Sequence, residues 1–316
     1  MTRPNIDPEI RAFTDKVAAA YAEHPPIADL PVAEARRVVE AVRAPWAKGG
    51  PEMARIATLM VPTRSGQMRV RFYHPEVGAP APALIYLHGG GFTLFSIDTH
   101  DRVMREYAAR GGFVVVGADY PLSPEAKYPA ALNAIEDLAL WLVAHGPAYG
   151  MDPERIAIGG DSAGANLSVA TALRLRDAGH GNRLHAMLLN YGGFGAECSD
   201  AAEARHGGEG AILSRAEVEY FWSNYVSGPA DRADPFACPI LADLEGLPPA
   251  FLVIAECDVL AEQSAAMGGA LFAAGVEVRA KTYPGATHSF IEAVAVAKVA
   301  AEAIEDGALW VRERLG

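Results

Sequence analysis

Gly160-Asp161-Ser162-Ala163-Gly164 sets a serine hydroxyl between two glycines, each two residues away. The apolar run Ile156-Ala157-Ile158 leads into it as a strand, and Ala165-Asn166-Leu167-Ser168-Val169 leaves it as the start of a helix. A chain that turns so sharply from strand to helix holds the central serine in a strained φ/ψ, and a Cβ at either flank would clash. The turn lifts the Ser162 hydroxyl clear of the sheet, where a neighbouring base can make it a nucleophile towards a carbonyl carbon. The pentapeptide alone is weak, because a tight β–α turn with a capping serine has the same composition. Its strand–turn–helix context is what makes it specific.

His88-Gly89-Gly90-Gly91 follows a second apolar strand, Ala83–Leu87. Three glycines let backbone come close to a bound substrate and turn N–H groups towards it. Those of Gly89 and Gly90, with that of Ala163, are expected to form an oxyanion hole for a tetrahedral intermediate. A merely flexible turn is the plainer alternative, but it has no reason to stand one strand–helix unit before a serine turn. His88, Gly91, Gly160, Asp161 and Gly164 are expected to support the loop and the turn, with His88 bracing its loop by hydrogen bonding.

A serine nucleophile of this type is followed along the chain by its acid and then its histidine. Of nine histidines, His180, His185, His206 and His288 follow Ser162. His180 lies in a polar loop, His185 opens a strand at the wrong end, and His206 sits in a Gly-rich insertion. His288, in Tyr283-Pro-Gly-Ala-Thr-His-Ser-Phe290, follows the last strand and is the expected base. Asp258, just past the strand Ala250–Ala255, is the expected acid that orients His288. Glu256, two residues earlier, is its rival.

The elements that must position these groups alternate along the chain. Strands are expected at Arg69–Tyr73, Ala83–Leu87, Phe113–Ala118, Arg155–Gly159, His185–Asn190, Ala250–Ala255 and Val276–Tyr283. Helices are expected near His100–Ala109, Ala130–His145, Ala165–Asp177 and Leu260–Ala274, with one long helix over Phe290–Arg314. Near-continuous apolar strands between helices imply a mostly parallel sheet covered on both faces. The first ~55 residues read as helical instead. Asp7-Pro8 starts one helix, with Ile10, Phe13, Val17 and Tyr21 on one stripe, and a second runs from Pro31 to about Val42 with Val38, Val39 and Val42 inward. Between the strands ending near Tyr191 and starting at Ala250, a long insertion carries a helix over Ser214–Tyr225, opened by a Ser214/Glu217 capping box. One domain over residues 1–316 is expected, with a helical cap from about 1–55 and 194–235.

The net charge is −12, with no basic run, so nucleic acid and anionic membrane surfaces are not expected partners. No apolar stretch approaches a membrane span, and the N-terminal residues carry no signal-type apolar run. Cys198, Cys238 and Cys257 are odd in number and lack metal-ligand spacing. A soluble cytoplasmic protein, monomer or homodimer, without metal or organic cofactor, is the expectation.

Together these motifs resemble the hormone-sensitive lipase group of the α/β-hydrolases: His88–Phe92 (HGGGF), Asp119–Glu125 (DYPLSPE), Gly160–Asn166 (GDSAGAN), Ala255–Leu260 (AECDVL) and Tyr283–Phe290 (YPGATHSF). The resemblance runs from about residue 65 to the end, and Ile97–Ala108 looks most like bacterial acetyl esterases. It implies an α/β-hydrolase fold and a serine carboxylesterase acting on short-chain acyl esters. The family's nucleophile, acid and base map onto Ser162, Asp258 and His288, and its oxyanion-hole glycines onto Gly89 and Gly90. Many members have Asp-Pro-Leu-Arg-Asp at the acid, where this chain has Asp258-Val-Leu-Ala-Glu262. Amidases, lactonases and thioesterases use the same machinery, and a non-catalytic ligand receptor on this fold is expected to lack one of the three residues.

Overall fold

The computed structural model describes residues 5–208 and 211–316. Residues 1–4, within the expected cap, and Glu209 and Gly210, within its second part, lie outside them. Asp7 caps α1 (Pro8–Tyr21): its Oδ1 accepts the N–H groups of Glu9 and Ile10, at 2.8 and 3.1 Å. Ile10, Phe13 and Val17 are buried on the stripe their spacing predicts. α2 (Val32–Ala47) runs past the expected stop near Val42, with Pro45 in its last turn, at the loss of one N–H donor to the turn before.

β1 (Arg55–Thr63) and β2 (Gly66–His74) then form an antiparallel hairpin. β1 was not expected from the sequence. It is an edge strand with Val61 as its one buried residue, so it lacks the apolar alternation that marks a strand. From there strands and helices alternate: β3 (Ala81–Leu87), α3 (Asp101–Gly111), β4 (Val114–Ala118), α4 (Ala130–His145), β5 (Met151–Asp161), α5 (Ala163–Asp177) and β6 (Met187–Asn190). The expected insertion follows, with α6 (Asp200–His206), α7 (Arg215–Tyr225) and α8 (Pro229–Arg232), and Ser214 and Glu217 do form a capping box. β7 (Ala250–Cys257), α9 (Ala261–Ala273), β8 (Val278–Thr287) and α10 (Lys298–Leu315) complete the chain.

Among the described residues the sheet has eight strands in the order β1-β2-β4-β3-β5-β6-β7-β8, parallel from β4 to β8. Successive residues of each central strand serve opposite faces. Ala83, Ile85 and Leu87 pack with α4, α5 and α9, whereas Leu84 and Tyr86 pack with α1, α3 and α10. That double burial is why the strands read as unbroken apolar runs. β3 connects outward to β4, and the chain then crosses back over β3 to β5. The carboxyl ends of β3 and β5 therefore flank a topological switch point, where open α/β sheets place their ligands.

The C-terminal segment departs from expectation. In place of one helix over Phe290–Arg314 there is a 3-10 turn, Phe290–Ala295, then extended backbone at Ala297, then α10. Phe290, Ile291, Glu292, Ala293 and Val294 are all buried, so the segment lacks the one-sided burial of an amphipathic helix, and it packs against α1, α2, α3 and α10. β8 also runs further than expected, to Thr287, which pairs with Cys257 of β7 beyond an irregularity after Ala255.

Candidate active site

Ser162 sits between β5 and α5 with φ 54° and ψ −115°, left-handed backbone that a side chain rarely adopts. Its N–H donates to Asn190 O at 2.9 Å, tying the turn to β6. The flanking glycines are required by close approach. A Cβ at Gly160 would stand 2.2 Å from Leu87 O, and one at Gly164 only 1.9 Å from the same oxygen. The ends of β3 and β5 are thus in backbone contact, and the glycine loop after Leu87 falls beside the serine.

The pairing of Cys257 with Thr287 sends the next residues, Asp258 and His288, out of the sheet side by side. Ser162 Oγ–H donates to His288 Nε2 at 2.9 Å, and His288 Nδ1–H donates to Asp258 Oδ2 at 2.7 Å. These proton positions follow from the network, since Asp258 accepts. Asp258 Oδ1 is fixed in turn by the N–H of Leu260 at 3.0 Å. Burial disfavours a charged His288, but the Asp258 carboxylate outweighs it and holds the histidine above its ordinary pKa, with Asp161 and Glu292 adding to the effect. Glu256 instead accepts the N–H of Gly285 at 2.8 Å, which makes it a brace for the loop that carries His288.

In the glycine loop, Gly90 and Gly91 have φ 97° and 58° and form part of a cavity wall with Ser162, Ala163 and His288. The N–H groups of Gly90, Gly91 and Ala163 have no acceptor among the described residues. Gly89, expected as one of the pair, is not in that wall. It lies against Asp161, where a Cβ would come within 2.5 Å of Oδ2. His88 stacks on Tyr120 with centroids 4.4 Å apart, and its Nδ1–H donates to Gly89 O at 2.8 Å. Burial, helped by nearby His100, brings the His88 pKa down to about 4, so it is a neutral brace.

Beneath the serine lies a buried polar layer. Asp161 accepts from Tyr86 Oη at 3.0 Å and faces His100 Nε2 at 3.3 Å. Burial alone would raise the Asp161 pKa, but His100 holds it below its usual range, and Asp161 in turn holds His100 above its own against burial. Sequence reading named Asp161 only as support and did not find His100, because the contact joins residues 61 positions apart.

The cavity measures about 480 Å³. One side is built from the N-terminal helices, with Tyr21, Val39 and Arg43, and the other from α7, with Val218, Phe221 and Trp222. The Phe221 ring stands where a Cβ on Gly91 would be, and Phe92 stacks on Tyr225 at 3.7 Å. The insertion is thereby packed directly onto the glycine loop. Among the described residues no group of three or more His, Cys, Asp or Glu side chains could hold a metal ion, and no helix is long and apolar enough to cross a membrane.

Residues 84–292 match the alpha/beta hydrolase fold family. A hyperthermophilic esterase from the archaeon Pyrobaculum calidifontis is 33% identical, with 98% of each chain covered and a TM-score of 0.91. A thermophilic, thermostable carboxylesterase cloned from a metagenomic library is 31% identical over 91% of this chain and 98% of its own, with a TM-score of 0.87. A thermostable esterase from Pseudomonas putida is 27% identical over 100% of this chain and 99% of its own, with a TM-score of 0.92. The chain belongs to the alpha/beta hydrolase family, in its hormone-sensitive-lipase-like group, and is an enzyme of the serine carboxylesterase type.

Proposed function

We propose that the protein hydrolyses short-chain carboxylic esters through a covalent acyl-enzyme on Ser162. The observation that carries this is the unbroken line from Ser162 Oγ through His288 to Asp258, at 2.9 and 2.7 Å. His288 takes the serine proton as Oγ bonds to the ester carbonyl carbon. The carbonyl oxygen, now an anion, is held by the N–H groups of Gly90, Gly91 and Ala163, a role supported by all three residues lining the cavity beside Ser162. The intermediate collapses, the C–O bond to the alcohol breaks, and His288 gives its proton to the departing oxygen. Water, deprotonated by the same histidine, then releases the acid and restores the serine.

Residues 5–55 and the described part of 194–235 act as a cap whose inner faces set acyl length. Phe221 and Trp222 standing over Gly91 and Phe92 support this. The protein works in the cytoplasm, a setting that suits three buried cysteines left free. Hydrolysis of p-nitrophenyl esters from acetate to laurate, beside a p-nitroanilide and a lactone, tests the reading. Acetate to about hexanoate should show the highest kcat/KM. Preference for the amide or lactone, or strong activation by long-chain triglyceride interfaces, contradicts it.

A further inference from the structure

Arg43 is the one arginine or lysine in the cavity wall among the described residues, and it is only 4% exposed. Its guanidinium lies 5.3 Å from the centre of the Phe95 ring and 5.8 Å from that of Tyr21. Nη1 donates to Glu292 Oε2 at 3.0 Å, and Nε reaches Tyr21 Oη at 3.4 Å. A guanidinium has five N–H donors. Those beyond these two contacts have no acceptor among the described residues. Glu292 is 3% exposed, and its other oxygen, Oε1, is buried without a partner.

A buried ion pair with unused bonding capacity is unfavourable unless cavity water or a bound ligand completes it. A latch holding α2 to the turn after His288 accounts for Nη1 alone. Arg43 stands in the wall of a cavity whose lining is mostly apolar away from Ser162 and His288. Because Glu292 already neutralises Arg43, a substrate carboxylate would add an uncompensated charge there. A neutral acceptor oxygen gains a charge-assisted bond and adds none.

We propose that Arg43 is a specificity-determining residue that selects esters carrying a second, neutral acceptor oxygen (a ketone, ether or further ester carbonyl) away from the scissile bond. This deepens the hydrolase reading and rests on it. The test uses the full chain and p-nitrophenyl hexanoate beside its 4- and 5-oxo counterparts, and heptanoate beside its 4-, 5- and 6-oxo counterparts. Each kcat/KM is divided by that ester's alkaline hydrolysis rate. At least one oxo ester should exceed its alkyl counterpart about tenfold, the order of one hydrogen bond to a charged group, and a monoester ending in a carboxylate should fall below both. In the double variant Arg43→Met/Glu292→Leu, which strands neither charge, the oxo advantage should disappear while the alkyl esters still turn over. Arg43→Lys, which keeps the charge but loses the fork, should give an intermediate ratio. Active sites are counted by organophosphate labelling, so each ratio refers to folded enzyme. No oxo preference at any position in the wild type overturns the proposal, whatever the variants do, and so does a preference that survives the double variant. No ester hydrolysis and no labelling of Ser162 in the wild type would instead overturn the hydrolase reading.

Discussion

Asp258→Asn exchanges one oxygen for an NH₂ at a site where both oxygens are engaged. Oδ1 receives the N–H of Leu260 at 3.0 Å, a backbone donor that needs an oxygen. The amide therefore keeps its oxygen there and turns its NH₂ towards His288 Nδ1, 2.7 Å away. The imidazole answers by presenting a lone pair at Nδ1, which moves its proton to Nε2, the atom facing Ser162 Oγ at 2.9 Å. In that tautomer it cannot accept the serine proton. Reaching the productive tautomer breaks that amide–imidazole bond and sets two N–H groups against each other, about 1.5–3 kcal/mol together, and the imidazolium formed during attack lacks the charge-assisted bond to a carboxylate, worth a similar amount. The sum, about 3–6 kcal/mol, spans the kcat loss of ~10³–10⁴ that a triad with its acid amidated is expected to show. Glu256→Gln keeps an oxygen for the Gly285 N–H and should change kcat by no more than a few-fold. Steady-state hydrolysis of p-nitrophenyl acetate by both variants reads the comparison. The reverse ranking, with Glu256→Gln crippled and Asp258→Asn near normal, refutes the reasoning and moves the acid to Glu256.

Ser162→Ala should retain the fold by circular dichroism and lose at least ~10³-fold in kcat, and an organophosphate should label the wild type once, on Ser162. The base works unprotonated and its pKa is raised, so log kcat/KM should climb with pH through a midpoint above the ordinary histidine value of about 6.5. In Asp258→Asn the residual activity should have that midpoint lowered, because burial is then less opposed; a flat profile from pH 5 to 8 contradicts the role of His288. Gly164→Ala places a methyl 1.9 Å from Leu87 O and should lower stability by more than about 3 kcal/mol, read by urea unfolding, and abolish activity. A well-folded, active Gly164→Ala enzyme would show that the two strand ends are not in the contact described.

The serine turn was legible because everything it needs is local: a strand, two glycines and a helix within about a dozen residues. The central strands and α4 were legible for the same reason, since burial on both faces writes itself as a continuous apolar run. β1 escaped because an edge strand with one buried residue carries no such signal, and the break before α10 escaped because a helix and a buried turn can both be mostly apolar.

The choice among near neighbours belonged to the tertiary structure. Asp258 and Glu256 are two residues apart and chemically alike. The pairing of Cys257 with Thr287 decides that Asp258 meets His288 while Glu256 braces Gly285. Gly89 and Gly91 are indistinguishable in a run of three, and only the approach of Asp161 on one side and Phe221 on the other separates them. Arg43 and Glu292 meet across 249 positions. Sequence determines conformations through forces that act within a turn or two of the chain. Contacts between distant segments depend on strand register and on how layers stack, and those are set by the whole core at once.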